Sequence, residues 1–167
     1  APANVSLQGV GGLDLSLNAE DWADLFDFHF NLIRAESRDF RPMSARTLSD
    51  DRHLRQLSVR RLMILLRKLA QEQGMDFVFE NNDERLREGL QLALEIKLQS
   101  LFALGAFAGR SPQQAFRVVT GSSVNTRQSI EQGQFIAEIQ VAPSQPMEFM
   151  TVLLLRQNEG LLQAMEQ

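Results

Sequence analysis

The sequence predicts an α+β fold in which two main helices pack on a small, mostly antiparallel sheet. Two observations carry this prediction. Apolar residues recur every three or four positions over residues 54–73 and about 84–104, which is the period of a helix buried along one side. After residue 115 the chain changes to short alternating or apolar segments that are typical of strands. Helices followed by strands indicate the α+β class.

The N-terminal part of the chain predicts little regular structure. Residues 5–17 alternate apolar side chains around a Gly-Gly turn, which predicts a strand or an extended lead-in. Asn18 is placed to cap a short acidic helix, with Asp21 at the third helical position. Residues 34–51 show no clear period and are predicted to be a loop.

The first strong helix is predicted over residues 54–73, with Gly74 ending it. Its stripe consists of Leu54, Leu57, Arg61, Leu62, Leu65, Leu66 and Leu69. Because Arg61 falls on this stripe and guanidinium groups suit carboxylates, we expect it to be partly buried and paired. Arg46 and Arg60 belong to the same hypothesis. The alternative is that these arginines are ordinary exposed charges.

The second helix is predicted from cap candidates at residues 81–83 to about residue 104. Its main stripe consists of Leu86, Leu90, Leu94, Leu98 and Leu101. A further apolar set consists of Leu92, Ile96 and Phe102. The two sets together predict that more than one face is covered. Gly105 and Gly109 mark the exit from this helix.

Strand signals follow a short capped turn. Residues 111–114 predict a small capping box, with Pro112 at the first helical position. The predicted strands occupy residues 116–120, 135–141 and 148–156. A polar connection is predicted at residues 121–133 and a prolyl break at 142–146. The last ten residues are predicted to be a frayed or short helical tail.

Composition narrows the classes of function. The 167 residues suffice for one domain with a sizeable core, and 44% hydrophobic residues argue against disorder. Cysteine is absent from the sequence, which excludes a disulfide framework and thiolate metal sites. No apolar run approaches the roughly 20 residues of a membrane helix, and the net charge of −4 disfavours a nucleic-acid binder.

Charge is distributed unevenly along the chain. Residues 14–27 contain five acids and no base, whereas residues 34–68 contain ten bases and four acids. The chain outside residues 34–68 therefore carries −10. Separated blocks of opposite sign can join copies head to tail, and the alternative is a solvated arginine-rich face.

The sequence lacks the motifs of a catalytic site. His29 and His53 have no partner at metal-ligand spacing, and neither a phosphate-binding loop nor a Gly-x-Ser-x-Gly elbow occurs. The segment from Gly105 to Gly109 follows a helix, which is the wrong context for a dinucleotide fingerprint. We therefore expect no catalytic residue, no metal and no cofactor.

Five short strings occur in a fixed order between residues 44 and 156. They are Ser44-Ala45-Arg46-Thr47-Leu48-Ser49, Val59-Arg60-Arg61-Leu62, Phe79-Glu80-Asn81-Asn82-Asp83, the run from Leu104-Gly105 through Gly109 to Ala115-Phe116-Arg117-Val118, and Ala142-Pro143-Ser144-Gln145-Pro146-Met147-Glu148-Phe149. Together they resemble the C-terminal domain of contractile tail sheath proteins. Two departures are Met43-Ser44, where the family has tryptophan and glycine, and Asn81, where it has proline.

The resemblance implies a domain organisation and a structural function. Residues 1–43 would be a lead-in from a preceding region, residues 44–157 the sheath C-terminal domain and residues 158–167 a tail. Family chains are longer, so this chain is expected to be a C-terminal portion. The implied protein polymerises helically around an inner tube and contracts to drive it through a target envelope.

The resemblance also implies partners and a location. The implied partners are other copies of the chain or sheath paralogues, the inner tube protein, and baseplate and terminator or cap proteins. Neither nucleic acid nor direct membrane insertion is implied. Assembly would occur in the bacterial cytoplasm, and the product would be a virion tail or a released injection particle.

Sheath subunits are implied to exchange terminal strands with their neighbours. The strand after the prolyl break is apolar and uncharged in its middle, which is a hazard for an exposed edge. We expect it to be donated to or shared with a neighbour; the alternative keeps it in its own sheet. The candidate interface residues are Met147, Phe149, Thr151, Val152, Leu153 and Leu155. On the first interpretation, Val152→Pro leaves a folded monomer that cannot polymerise.

Two other functions stay open at the level of sequence. The chain can be a sheath-like cap or baseplate subunit of the same machine. It can also be a stand-alone α+β binding module that recognises an acidic partner through residues 34–61. A sheath subunit and a cap or baseplate subunit would form tubes or rings. The binding module would stay monomeric and bind its partner with an affinity that depends on salt.

Overall fold

The computed structural model describes residues 3–37, 39–143, 149–157 and 161–166. The chain divides into two compact units, residues 1–61 and residues 62–167. The division falls inside helix α2 (Leu57–Met75), so each unit is described by itself.

The first unit contains the short helix α1 (Ala19–Asp27) and a two-stranded antiparallel hairpin, β1 (Ile33–Ala35) and β2 (Phe40–Pro42). The predicted cap of α1 is confirmed. Asn18 Oδ1 accepts the N–H of Asp21 at 2.9 Å, and the Asp21 carboxylate accepts the N–H of Asn18 at 3.3 Å.

The hairpin corrects the prediction of a loop over residues 34–51. Each strand has only three residues, too few to show a period in the sequence. Arg41 donates Nε and Nη2 to the Asp39 carboxylate at 2.9–3.1 Å near the turn. These hydrogen bonds hold the pKa of Asp39 below its ordinary value.

The second unit contains most of α2, three further helices and a four-stranded sheet. The helices are α3 (Glu84–Ala103), α4 (Pro112–Ala115) and α5 (Arg127–Glu131). The strands are β3 (Phe116–Val119), β4 (Phe135–Val141), β5 (Met150–Arg156) and β6 (Leu162–Glu166). Their order is β3-β4-β5-β6, and every neighbouring pair is antiparallel.

The core of this unit lies between one face of the sheet and the long helices. Alternate residues of β4 and β5 are buried, and the fully buried side chains of these strands include Ile139, Val141, Val152 and Leu154. From α3, the buried residues are Leu86, Leu90, Leu94 and Leu98, as the main stripe predicted. Asp83 caps α3 by accepting the N–H of Leu86 at 2.8 Å.

The buried stripe of α2 differs from the predicted one. It consists of Val59, Met63, Leu66 and Ala70. Leu65 is 46% exposed and Arg61 is exposed, so the expectation that Arg61 is partly buried was wrong. The small residues Ala70 and Gly74 decide which side faces inward, because a Cβ on Gly74 would lie only 2.8 Å from Leu162 Cδ2. Gly74 lies inside the helix and does not end it.

Two predicted connections contain structure that the sequence did not indicate. The polar connection at residues 121–133 includes α5, and it is fixed by the buried side chain of Asn125. That amide donates to the carbonyls of Thr120 and Ile136 and accepts the N–H of Ile136 at 2.7–2.8 Å. At α4, Pro112 is at the helix start as predicted. However, the Ser111 side chain makes no capping hydrogen bond to the described residues, so the capping box was wrong.

The C-terminal residues were predicted to be a frayed or helical tail, but they form β6. A hydrogen bond from the N–H of Gln157 to the carbonyl of Leu161, 3.0 Å long, closes a hairpin with β5. The sequence of β6, Leu-Gln-Ala-Met-Glu, consists of good helix formers. Pairing with β5 therefore overrides the local preference.

The exit from α3 gives a test of the fold. Gly105 has φ +75°, its N–H donates to the carbonyl of Phe102, and the next N–H donates to Leu101. Gly105→Ala should lower the free energy of unfolding by about 1 kcal/mol, because a Cβ disfavours positive φ. Gly121→Ala is the matched control, since no atom lies within 4 Å of an added Cβ there. Equal urea midpoints for the two variants would contradict this assignment.

Candidate assembly surface

The strand predicted for exchange lies in the middle of the sheet. β5 pairs with β4 over seven residues and with β6 over five. It therefore has no free edge in the single chain, and pairing with another subunit stays a prediction. Val152 is fully buried at the centre of this strand, so we now expect Val152→Pro to unfold the second unit. This result would differ from the folded monomer that the sequence alone led us to expect for this variant.

The predicted interface residues divide between the two sides of the sheet. Thr151, Leu153 and Leu155 alternate with the buried residues of β5 and lie half-buried on the opposite face, which the long helices do not cover. Phe149 is half-buried just before the strand, and Met147 lies outside the described residues. This opposite face is mixed in character, because Leu153 pairs with Glu138 and Met165, and Leu155 pairs with Ile136 and Gln163.

The free edge of the sheet on this side belongs to β6. Gln157 and Leu161 form the first hydrogen-bonded pair of the hairpin. By the alternation of antiparallel ladders, the main-chain groups of Leu162, Ala164 and Glu166 then point away from β5. No residue of β6 is fully buried. β6 is thus the strand to which a neighbouring strand can be added on this side of the sheet.

The Arg-Thr-Leu motif of the first unit stabilises a loop. The Asn31 side chain bonds the backbone N–H and carbonyl of Arg46 at 2.7 and 2.8 Å. The Arg46 guanidinium lies 3.7 Å from the centre of the Phe26 ring and donates to the Phe26 carbonyl. Thr47 donates its hydroxyl to the carbonyl of Leu54. The contacts of Arg46 are therefore with an aromatic ring and a main-chain carbonyl.

Three other motif positions in and near this unit differ in exposure. Leu48 is 84% exposed, Arg60 is half-buried and Arg61 is exposed. The two consecutive arginines therefore lie in different environments, because Arg60 is half-buried and Arg61 is exposed.

The Phe-Glu-Asn-Asn-Asp motif forms the loop between α2 and α3. Arg156, 7% exposed at the end of β5, donates Nη1 to the carbonyls of Phe77, Val78 and Glu80 at 2.7, 3.3 and 2.9 Å. Burial lowers the pKa of this guanidinium. The loop is thus fixed to the sheet by charge-assisted hydrogen bonds. The motif residue Phe79, in the same loop, is 98% exposed.

The far end of the same loop is fixed as well. Asn82 donates its amide to the carbonyl of Gln134 at 2.7 Å, and Arg87 Nη1 donates to the Asn82 side chain at 3.0 Å. Asp83 then caps α3. Asp83 is therefore the cap among the predicted candidates, whereas the contacts of Asn82 with Gln134 and Arg87 were not indicated by the sequence.

The remaining motif positions lie at the exit from α3 and around β3 and β4, apart from two outside the described residues. Gly105 and Gly109 both have positive φ, which confirms the prediction of a helix exit. Phe116 opens β3 beside Phe107, with ring centres 6.1 Å apart. Pro143 is half-buried after β4, whereas Pro146 and Glu148 lie outside the described residues.

A groove of about 800 Å³ lies in the second unit between α3, α4 and β3. Its apolar wall includes Leu92 and Ile96, which are 60% and 56% exposed, together with Phe116. The sequence predicted that more than one face of α3 is covered. In the described chain only the main stripe is covered, and this second face is open.

Two other features, a metal site and a membrane-spanning helix, are absent from the described ranges. Within them, no group of three or more His, Cys, Asp or Glu side chains is arranged to hold a metal ion. None of the described helices has the length and apolar composition to cross a membrane.

Comparison with known proteins identifies relatives by sequence. No family model matches the chain. A tail sheath protein of Vibrio phage KVP40 is 30% identical over 96 residues, which cover 58% of this chain and 13% of that protein.

Solved structures extend the similarity to most of the fold. A chain from the baseplate of the anti-feeding prophage has a TM-score of 0.80 at 32% identity, over 89% of this chain and 42% of that one. The helical sheath of the same prophage in its contracted state gives 0.79 at 32%, over 89% and 42%. The contracted PVC sheath complex, from an extracellular contractile injection system, gives 0.74 at 30%, over 89% and 43%.

These comparisons confirm the resemblance stated from the motifs and the α+β fold class. The chain spans less than half the length of the relatives that it matches.

The contacts of Arg156 generate a stability prediction. Arg156→Lys keeps the charge but shortens the side chain, so its ammonium cannot take the position from which Nη1 reaches three carbonyls, and unfolding should become easier by about 2 kcal/mol. Arg127→Lys is the matched control, because its ion pair with Glu131 is exposed and worth at most about 0.5 kcal/mol. Urea unfolding of both variants checks the difference. A loss for Arg156→Lys no larger than the control's would show that the loop is held by other contacts.

Proposed function

We propose that this chain, a member of the contractile tail sheath family, is part of a structural subunit that polymerises helically around an inner tube. Contraction of the polymer would drive that tube through a target envelope. The observation that supports this proposal most strongly is the joint match in sequence and fold to chains of contracted sheaths.

The surfaces of the second unit suit a polymer. A helical polymer needs heterologous contacts that do not close on themselves. The free edge of β6 can accept an extended strand from a neighbour, with the main chain giving affinity and the side chains giving register. We infer that β6 is the principal site of strand sharing, and β5 is the strand that supports it.

The proposed partners follow from this assembly. They are further copies of the chain, an inner tube protein, and baseplate and terminator proteins. The machine would be built in the bacterial cytoplasm and would leave as a virion tail or an injection particle. Its work would come from repacking between two states of the lattice, so we propose no catalytic site in this chain.

A cap or baseplate subunit of the same machine is the second candidate. It is favoured by the match to chains from the anti-feeding prophage baseplate. Negative-stain microscopy of the full-length protein separates the two candidates. Long tubes support the sheath subunit, isolated rings or plates support the second candidate, and monomers at all concentrations contradict both.

Ala164→Pro tests the role of the β6 edge. The N–H of Ala164 points away from β5, so proline removes a donor for a neighbouring strand and leaves the hairpin's own ladder intact. We expect full-length Ala164→Pro to remain a folded monomer and to form no tubes. Circular dichroism checks the fold, and sedimentation checks the assembly.

Two further variants serve as controls for this test. Ala164→Ser keeps the N–H and should assemble normally. Gln163→Pro removes a donor that faces β5 and should loosen the hairpin itself, with a lower melting temperature. Normal tubes from Ala164→Pro would rule out strand addition at this edge.

A further inference from the structure

Phe79 is an aromatic side chain presented to solvent on a fixed loop. It is 98% exposed, although the residues on both sides of it have their carbonyls bonded to the buried Arg156. At the other end, Asn82 is bonded to Gln134 and Arg87. Because the loop is already ordered, burying Phe79 in a partner costs little additional conformational entropy. Preordered aromatic side chains of this kind are typical anchors of protein interfaces.

The same unit carries an open apolar groove of suitable size. Leu92 and Ile96 line the groove of about 800 Å³ between α3 and β3. That volume is in the range of sites that take ligands larger than one aromatic ring. Phe79 does not fill the groove of its own copy, because it is almost fully exposed.

The groove carries one charged side chain of each sign, Arg117 and the half-buried Glu95. Glu95 already accepts a side-chain hydrogen bond within α3, so Arg117 is the charge that an incoming carboxylate can pair with. Glu80 follows Phe79 directly and is exposed, and Arg117 lies exposed at the wall of the groove. A phenylalanine entering near Ile96 can place this carboxylate near this guanidinium. The aromatic anchor and the charge pair together select one register of docking.

We propose that Phe79 of one copy enters the α3–β3 groove of a second copy, with Glu80 paired to Arg117. The contact joins two different surfaces of the same unit, so it is heterologous and can propagate from copy to copy. The inference rests on the proposed sheath function, since it names a second copy as the occupant. It involves other residues than the β6 edge and can be tested separately.

Cysteine cross-linking tests the contact directly. The chain contains no cysteine, and Glu80 and Arg117 are both exposed, so Glu80→Cys with Arg117→Cys leaves the anchor and the core unchanged. In the full-length protein, with any other cysteine replaced by serine, oxidation of assembled material should give a ladder of linked multimers. Each single variant should give at most dimers.

A matched pair controls for chance collisions. Lys68→Cys with Arg117→Cys also places both thiols on exposed positions of the same unit, but Lys68 lies on α2, eleven residues before Phe79, and this pair should give no ladder. Tubes without a Glu80–Arg117 ladder would overturn the contact and leave the sheath function standing. Absence of tubes from the unmodified protein would overturn the sheath function itself.

Assembly thresholds provide an independent measurement. Phe79→Ala should raise the critical concentration for polymerisation at least tenfold. Leu104→Ala is the matched control, because Leu104 is 83% exposed but lies outside the groove, and it should leave the critical concentration unchanged. Glu80→Arg should impair assembly, and adding Arg117→Glu should restore it. An unchanged threshold for Phe79→Ala, or no rescue in the charge swap, would contradict the proposal.

Discussion

The hydrogen bonds from Arg156 to the loop between α2 and α3 are the constraint on which the second unit depends. One guanidinium at the end of β5 holds the carbonyls of Phe77, Val78 and Glu80. It thereby ties the central strand of the sheet to the connection between the two long helices. Burial without a carboxylate partner is costly for a guanidinium, and the three carbonyls offset that cost. This contact fixes the first half of the loop around Phe79, and the bonds of Asn82 and the Asp83 cap fix the second half up to the start of α3.

A fixed layer of helices leaves the sheet with two unequal faces and an exposed edge. The inner face is closed by α2 and α3, and the close approach at Gly74 allows Leu154 and Leu162 to pack against α2. On the outer face, Leu153 and Leu155 are half-buried. Isolated domains usually protect such edges and faces with charge or proline. Here the free edge is formed by β6, which contains no proline, and this is consistent with a protein whose neighbours complete the sheet.

The sequence predicted the elements whose burial is supplied by the chain itself. The main stripe of α3, the cap at Asp83 and the alternation in β4 each reflect a local rule that agrees with the tertiary structure. The β1–β2 hairpin and β6 were missed, because three to five residues carry no measurable period and β6 favours a helix by composition. Arg156 was missed for another reason. Its partners are main-chain carbonyls almost 80 residues away, and carbonyls leave no trace in a sequence.

The second apolar set of α3 shows what periodicity measures in an assembling protein. A repeat of apolar residues indicates that a face is buried in the functional state, whichever chain covers it. Leu92 and Ile96 gave the same signal as core residues, yet they remain open in the single chain. A monomeric protein would gain solubility by replacing them with polar residues, because nothing in the chain itself needs them to be apolar. Their retention beside an exposed arginine therefore argues for a docking surface, and the same reasoning applies to Phe79, whose neighbours are bonded while its own ring is left in solvent.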